Sequence, residues 1–117
     1  MTPEQFAFVL FAAGASGGIL LALLVTFRQK VPRWLGSVHG ITGLAGLAVL
    51  FLANLHAGDA ASSTAWWALA VMASALLGGL ILFRTLFPTR IPLPLVGLHA
   101  ALAVAGLWLL NPLAFGF

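Results

Sequence analysis

Four long apolar stretches, roughly Pro3 to Phe27, Trp34 to Leu55, Thr64 to Phe87 and Pro92 to Leu110, are separated by short polar interruptions. Each is close to the ~20 residues that carry an α-helix across a bilayer core. The boundaries are marked by residues that cap or start helices. Thr2-Pro3-Glu4-Gln5 reads as a capping box with proline at the first helical position. Pro32 and Pro92 open the second and fourth helices, where a missing N–H does no harm. Ser62, Ser63 and Thr64 offer an N-cap for the third, and Asn111-Pro112 closes the fourth. Asn54 through Ser63 form the one substantial connection at their end, with Gly58 as the turn. The pattern predicts an all-α membrane protein, a four-transmembrane-helix up-down bundle in a single domain over residues 1–117.

The polar interruptions also expose a repeat. Shifted by sixty residues, Lys30-Val31-Pro32-Arg33-Trp34-Leu35-Gly36-Ser37-Val38-His39 lies over Arg90-Ile91-Pro92-Leu93-Pro94-Leu95-Val96-Gly97-Leu98-His99. The same register pairs Gly18 with Gly78, Leu20 with Leu80, Phe27 with Phe87 and Ala45-Gly46-Leu47 with Ala105-Gly106-Leu107. The chain is thus two copies of a two-helix unit, about residues 1–60 and 61–117. A two-spanning unit returns the chain to its starting side, so the copies run in parallel, related by an axis along the membrane normal. With short loops, consecutive helices are neighbours and the second and fourth face each other diagonally.

Composition agrees with the class. Of 117 residues, 62% are hydrophobic and 6% charged, too few charges to cover a water-soluble surface. All five basic residues, Arg28, Lys30, Arg33, Arg84 and Arg90, fall in the first and third connections, and both acids, Glu4 and Asp59, fall at the other face. Short basic loops stay cytoplasmic. The expectation is therefore an integral protein of a bacterial inner membrane with both termini outside, in the periplasm. The basic excess follows topology and anionic lipid contact, not nucleic-acid binding. The first stretch lacks a basic leader and is too long for a signal-peptide core, so it is expected to persist. Trp34 at the inner boundary and Trp66, Trp67 and Trp108 near the outer one fit interfacial belts.

The chemistry rests on the histidines. His39 and His99 occupy equivalent places in the two copies, each seven residues past its opening proline, ~10 Å into the helix. An ionisable side chain inside an apolar span is costly, and so is usually functional or specifically paired. On their helix faces lie small residues: Gly36, Thr42, Gly43 and Gly46 beside His39, and Val96, Leu102, Ala103 and Gly106 beside His99. Small residues there either let helices touch or leave room for a flat group. Clusters Ala12 to Gly18, and Ala73-Ser74-Ala75 with Gly78-Gly79, stand on the first and third helices at about that level. Two facing imidazoles suit a low-spin haem iron. The chain has no cysteine, so thiolate ligation, c-type attachment and iron–sulfur clusters are excluded. Propionates would find Arg28, Lys30, Arg33, Arg84 and Arg90 about two turns away. His56, at the outer end of helix two, pairs with Gly116 in the repeat. It reads as a solvated interfacial group, with proton exchange at a quinol pocket as the sharper alternative.

The arrangement resembles that of membrane b-type cytochromes, in which helices two and four of a bundle carry the haem-ligating histidines. The resemblance implies one haem b with His39 and His99 as axial ligands and Gly36, Gly43, Gly46, Ala103 and Gly106 lining it. It further implies electron relay between membrane quinol and a redox partner subunit or homodimer, rather than a stand-alone enzyme. Dihaem members carry a second histidine on each helix about four turns on; here those positions are Ala53 and Leu113, so a single-haem version is implied. Two other classes stay open. One is pigment binding with one metal per histidine, against which Leu35 and Leu95 stand where light-harvesting helices carry a small residue. The other is a haem-free structural or assembly subunit, or a transporter. In span number the chain is similar to the small multidrug-resistance exporters, but its first helix has no acid below Glu4. Hydrolytic chemistry is disfavoured because no nucleophile stands beside a histidine with an orienting carboxylate.

Overall fold

The computed structural model describes all 117 residues, which form α1 (Pro3–Thr26), α2 (Arg33–Ala57), α3 (Ser63–Gly79) and α4 (Leu93–Phe115). A 3₁₀ turn, Gly58–Ala60, follows α2, and α3 continues into a π-helical segment, Leu80–Leu86. Four helices are long and apolar enough to cross a membrane. The whole measures 46 × 23 × 22 Å, as expected for four helices with axes ~8 to 10 Å apart.

The helix starts follow the sequence signals. The Thr2 hydroxyl accepts from Gln5 N–H at 3.1 Å while Thr2 N–H donates to Gln5 Oε1 at 3.0 Å, a complete capping box. Ser62 Oγ accepts from Ala65 N–H at 3.1 Å. Pro32 and Pro92 stand at the N-cap in extended backbone and carry no side-chain cap. Gly58 makes its turn at φ 55°. At the end of α1, Gln29 N–H reaches Leu24 C=O at 2.8 Å and Arg28 N–H reaches Val25 C=O at 3.1 Å. This is a Schellman closure with Arg28 at φ 55°, where glycine is usual.

Three expectations are corrected. Asn111-Pro112 does not close α4, which runs on to Phe115 and ends at Gly116 in the left-handed region. Pro112 removes a single hydrogen bond, and the following turn is held by Gly116 N–H on Pro112 C=O at 2.8 Å. That turn also buries Ala114 and sets Phe115 edge-on to Phe8 of α1, 5.1 Å between centroids. Asn54 does not begin a loop. It lies in α2, buried, where its Nδ2 donates to Ala65 C=O at 3.1 Å and ties α2 to the start of α3. The third stretch is not one regular helix, because Phe87 N–H reaches back five residues to Leu82 C=O at 2.7 Å.

Around the bundle, α1 packs on α2 and α4, and α3 packs on α4 and α2, which leaves α1/α3 and α2/α4 as the diagonals. Equivalent contacts recur in both hairpins, but in two registers. On α2 and α4 the equivalents are sixty apart: Gly46 and Gly106, Leu50 and Leu110, Asn54 and Ala114, all buried. On α1 and α3 they are sixty-one apart: Ala7 and Ala68, Phe11 and Met72, Gly14 and Ala75, again all buried. The buried apolar core is Ala7, Phe11, Leu50, Ala68, Met72 and Leu110. It fills the half of the bundle near the termini. The half toward the basic connections is filled differently.

Candidate functional site: a paired-imidazole centre between α2 and α4

His39 and His99 stand six residues into α2 and α4, at equal depth from the basic end. Because those helices are diagonal, the two side chains enter the bundle interior from opposite sides and meet. Their ring centroids are 5.9 Å apart and their planes are inclined at 71°.

Glycine on the neighbouring helix makes the approach feasible. A Cβ on Gly18 would lie 2.8 Å from His39 Cε1, and one on Gly79 would lie 2.9 Å from His99 Cε1. No real methyl sits that close, so each ring occupies the volume a side chain would take. These glycines stand in small-x-x-x-small pairs, Gly14 with Gly18 on α1 and Ala75 with Gly79 on α3, the pattern that lets membrane helices approach closely. The sequence places both in clusters of small residues near the histidine level, but does not say which of them meets which ring. The sixty-residue register equates Gly18 with Gly78, whereas the structure sets Gly79 against the imidazole and leaves the Gly78 Cβ position open.

The two rings are held by different means. His39 Nδ1 lies 2.7 Å from Gly14 C=O. A carbonyl only accepts, so Nδ1 carries the proton and the lone pair of the neutral ring is on Nε2. His99 Nδ1 is buried and has no hydrogen-bond partner. Its ring is instead met edge-on by Phe83, 5.4 Å between centroids at 85°. Thr42 is not a partner of either ring, since its hydroxyl bonds the Val38 and His39 carbonyls of its own helix at 3.0 and 2.9 Å.

The remaining expected site residues divide. Gly36 lies beneath Arg84, whose Nη2 is 3.9 Å from the Gly36 Cβ position and donates to Ser37 Oγ at 3.1 Å. In an α-helix Arg84, five residues after Gly79, would point ~140° away from it; the wider winding of the π segment brings it back toward α2. Gly43 meets Leu76 of α3 at ordinary contact distance. Gly46 and Gly106 serve packing, with Phe11 and Met72 filling the space over them to within 3.0 Å. Ala103 is half-buried on α4. Arg28, Arg33 and Arg90, with Lys30, are exposed at the same end and have no side-chain bond to the helices that carry the histidines. His56 is exposed at the last turn of α2, remote from the pair.

The donor set suits a metal taken up between the rings. A ligating histidine normally donates its other N–H to a carbonyl or carboxylate, as His39 does to Gly14. No third histidine, acid or cysteine joins the pair. Compared with protein-family models, with curated proteins and with solved structures, the chain matches none.

Proposed function

We propose that the chain is a single-haem b-type cytochrome or cytochrome-like subunit of a bacterial inner membrane, relaying electrons between membrane quinol and a partner protein. The observation that carries this reading is the meeting of two imidazoles from diagonal helices, each cradled against a glycine where any Cβ would clash. His39 and His99 would hold the group, and Gly18 and Gly79 keep the rings where they stand. A bound haem would supply one-electron chemistry, at a potential that the residues holding it and the low-dielectric surroundings would tune. Arg84, placed over Gly36 one turn from His39, is the cation best positioned for a propionate. Arg28, Lys30, Arg33 and Arg90 form the cationic rim. By the positive-inside rule that rim faces the cytoplasm and both termini face the periplasm.

Purified protein from haem-supplied cells, reduced with dithionite, is expected to show a sharp b-type α band. That sharp band, which needs both imidazoles, should be lost from both His39→Ala and His99→Ala, whether or not a variant still holds haem, and persist in His56→Ala. Colourless protein would overturn the reading. A haem-free role as a structural or assembly subunit draws support from one observation, the aromatic contacts of His99 with both His39 and Phe83. On that reading the rings are a packing element, and wild-type and variant proteins alike are colourless.

A further inference from the structure

The two histidines match in sequence position but not in support. We infer that they are inequivalent ligands: His39 is the fixed one and His99 the exchangeable one, so that a small exogenous ligand, carbon monoxide or free imidazole, enters on the His99 side. The exchange rests on the haem reading above; the inequivalence of the rings does not.

Register is the cause. Gly14 stands 25 residues before His39. Its structural equivalent, Ala75, stands 24 before His99, because α1 and α3 are offset by sixty-one residues while α2 and α4 are offset by sixty. The Ala75 carbonyl faces His99, yet it lies outside hydrogen-bonding geometry with Nδ1. His39 therefore has one tautomer enforced by a 2.7 Å bond. It presents a lone pair on Nε2, and the bond makes that nitrogen a stronger donor. His99 has neither constraint. What packs against its ring is Phe83, perpendicular to it and on a π-helical segment rather than a regular helix, and an aromatic side chain offers no carbonyl to hold a proton on Nδ1.

The remainder of the surroundings shows the same asymmetry. Thr42 donates to the His39 carbonyl at 2.9 Å and stands 3.0 Å from the Gly14 Cβ position, against the residue whose carbonyl holds the bonded ring. The equivalent of Thr42 on α4 is Leu102, which has no hydroxyl. An incoming neutral ligand would replace His99 Nε2 bond for bond, with no change in proton or electron count. The displaced imidazole needs room to swing, and Phe83 is the side chain that denies it.

Two measurements test this. In liposomes, ¹⁵N-histidine NMR of the full chain, with signals assigned from the His39→Ala, His56→Ala and His99→Ala variants, should show His39 in the Nδ1–H tautomer alone and His99 populating both. Identical tautomer states for the two rings would overturn the inequivalence. In haem-loaded protein, His99→Ala should retain haem at least tenfold better than His39→Ala, as expected when a bonded ligand is kept and an unbonded one removed. Phe83→Ala should raise carbon monoxide affinity about tenfold over wild type, with Phe83→Leu in between. Equal haem retention by the two histidine variants, or no effect of Phe83→Ala on carbon monoxide affinity, would overturn the exchange. A wild-type chain that takes up no haem would overturn the proposed function instead, leaving the NMR result to decide whether the rings differ.

Discussion

Adjacent glycines on α3 should respond in opposite ways to one added methyl. In Gly79→Ala the new Cβ would lie 2.9 Å from His99 Cε1, 3.3 Å from Nδ1 and 3.7 Å from Nε2. Ordinary contact begins near 3.4 Å, so a rigid ring anchored on α4 must retreat by about 0.5 Å, through an off-rotamer χ angle or by separating α3 from α4. Overpacking of this kind costs about 1–3 kcal/mol. In Gly78→Ala nothing lies within 4 Å of the new atom, and helix propensity favours alanine by up to ~1 kcal/mol. The first hairpin supplies a second pair. Gly18→Ala brings Cβ to 2.8 Å from His39 Cε1 and also strains the bond to Gly14, worth about 1 kcal/mol more. Gly17→Ala meets only His39 Cβ, at 4.0 Å. Unfolding in mixed micelles, followed by tryptophan fluorescence, should place Gly79→Ala and Gly18→Ala well below wild type, with Gly78→Ala and Gly17→Ala at or above it. If Gly78→Ala were the damaging change, α3 would stand in the sixty-residue register and the cradle described above would be wrong.

Other parts of the bundle give independent expectations. Arg28→Gly should stabilise the chain by about 1 kcal/mol in the same assay, because it removes a side chain from left-handed backbone. Gly46→Ala against the Phe11 ring and Gly106→Ala against buried Met72, whose Cγ and Sδ lie 2.7 Å from the new Cβ, should each cost about 1–3 kcal/mol. Asn54→Leu should destabilise by about 0.6 to 1.7 kcal/mol, the range for hydrogen bonds between membrane helices, and Ala65→Leu at the same contact should not be additive with it. Since the chain has no cysteine, single cysteines at Gln29, Thr89 and Asp59 report topology. A membrane-impermeant thiol reagent added to intact spheroplasts should label Asp59→Cys and spare the other two; the reverse pattern would invert the proposed orientation.

Much of the fold was legible in the sequence. Capping residues, prolines and apolar lengths located all four helices, because in a bilayer every backbone group must be satisfied within its own helix. The errors arose where a tertiary contact outweighed a local rule. Pro112 reads as a stop, yet Phe115 against Phe8 and the burial of Ala114 repay one more turn. Asn54 reads as loop, yet Ala65 C=O gives its amide a partner inside the bundle. The histidine pair was legible because both residues lie on helices that share the sixty-residue register. The small clusters that hold Gly14, Gly18 and Gly79 were legible at that level too, but which residue supports each ring was not, because these and Phe83 belong to the neighbouring helices, where the register is sixty-one or broken by the π segment.

The sequence by itself determined that four apolar helices form two parallel hairpins and that the hairpins bring one histidine each to a common depth. Length, capping chemistry and repeat spacing are local quantities, and these conclusions need nothing else. Only the tertiary structure decided which glycine meets each imidazole, that His39 is hydrogen-bonded while His99 is not, and that Arg84 turns toward α2. Those outcomes depend on how far one helix slides and rotates against another. A shift of a single residue turns a helix face by ~100°, enough to exchange a hydrogen bond for an aromatic edge.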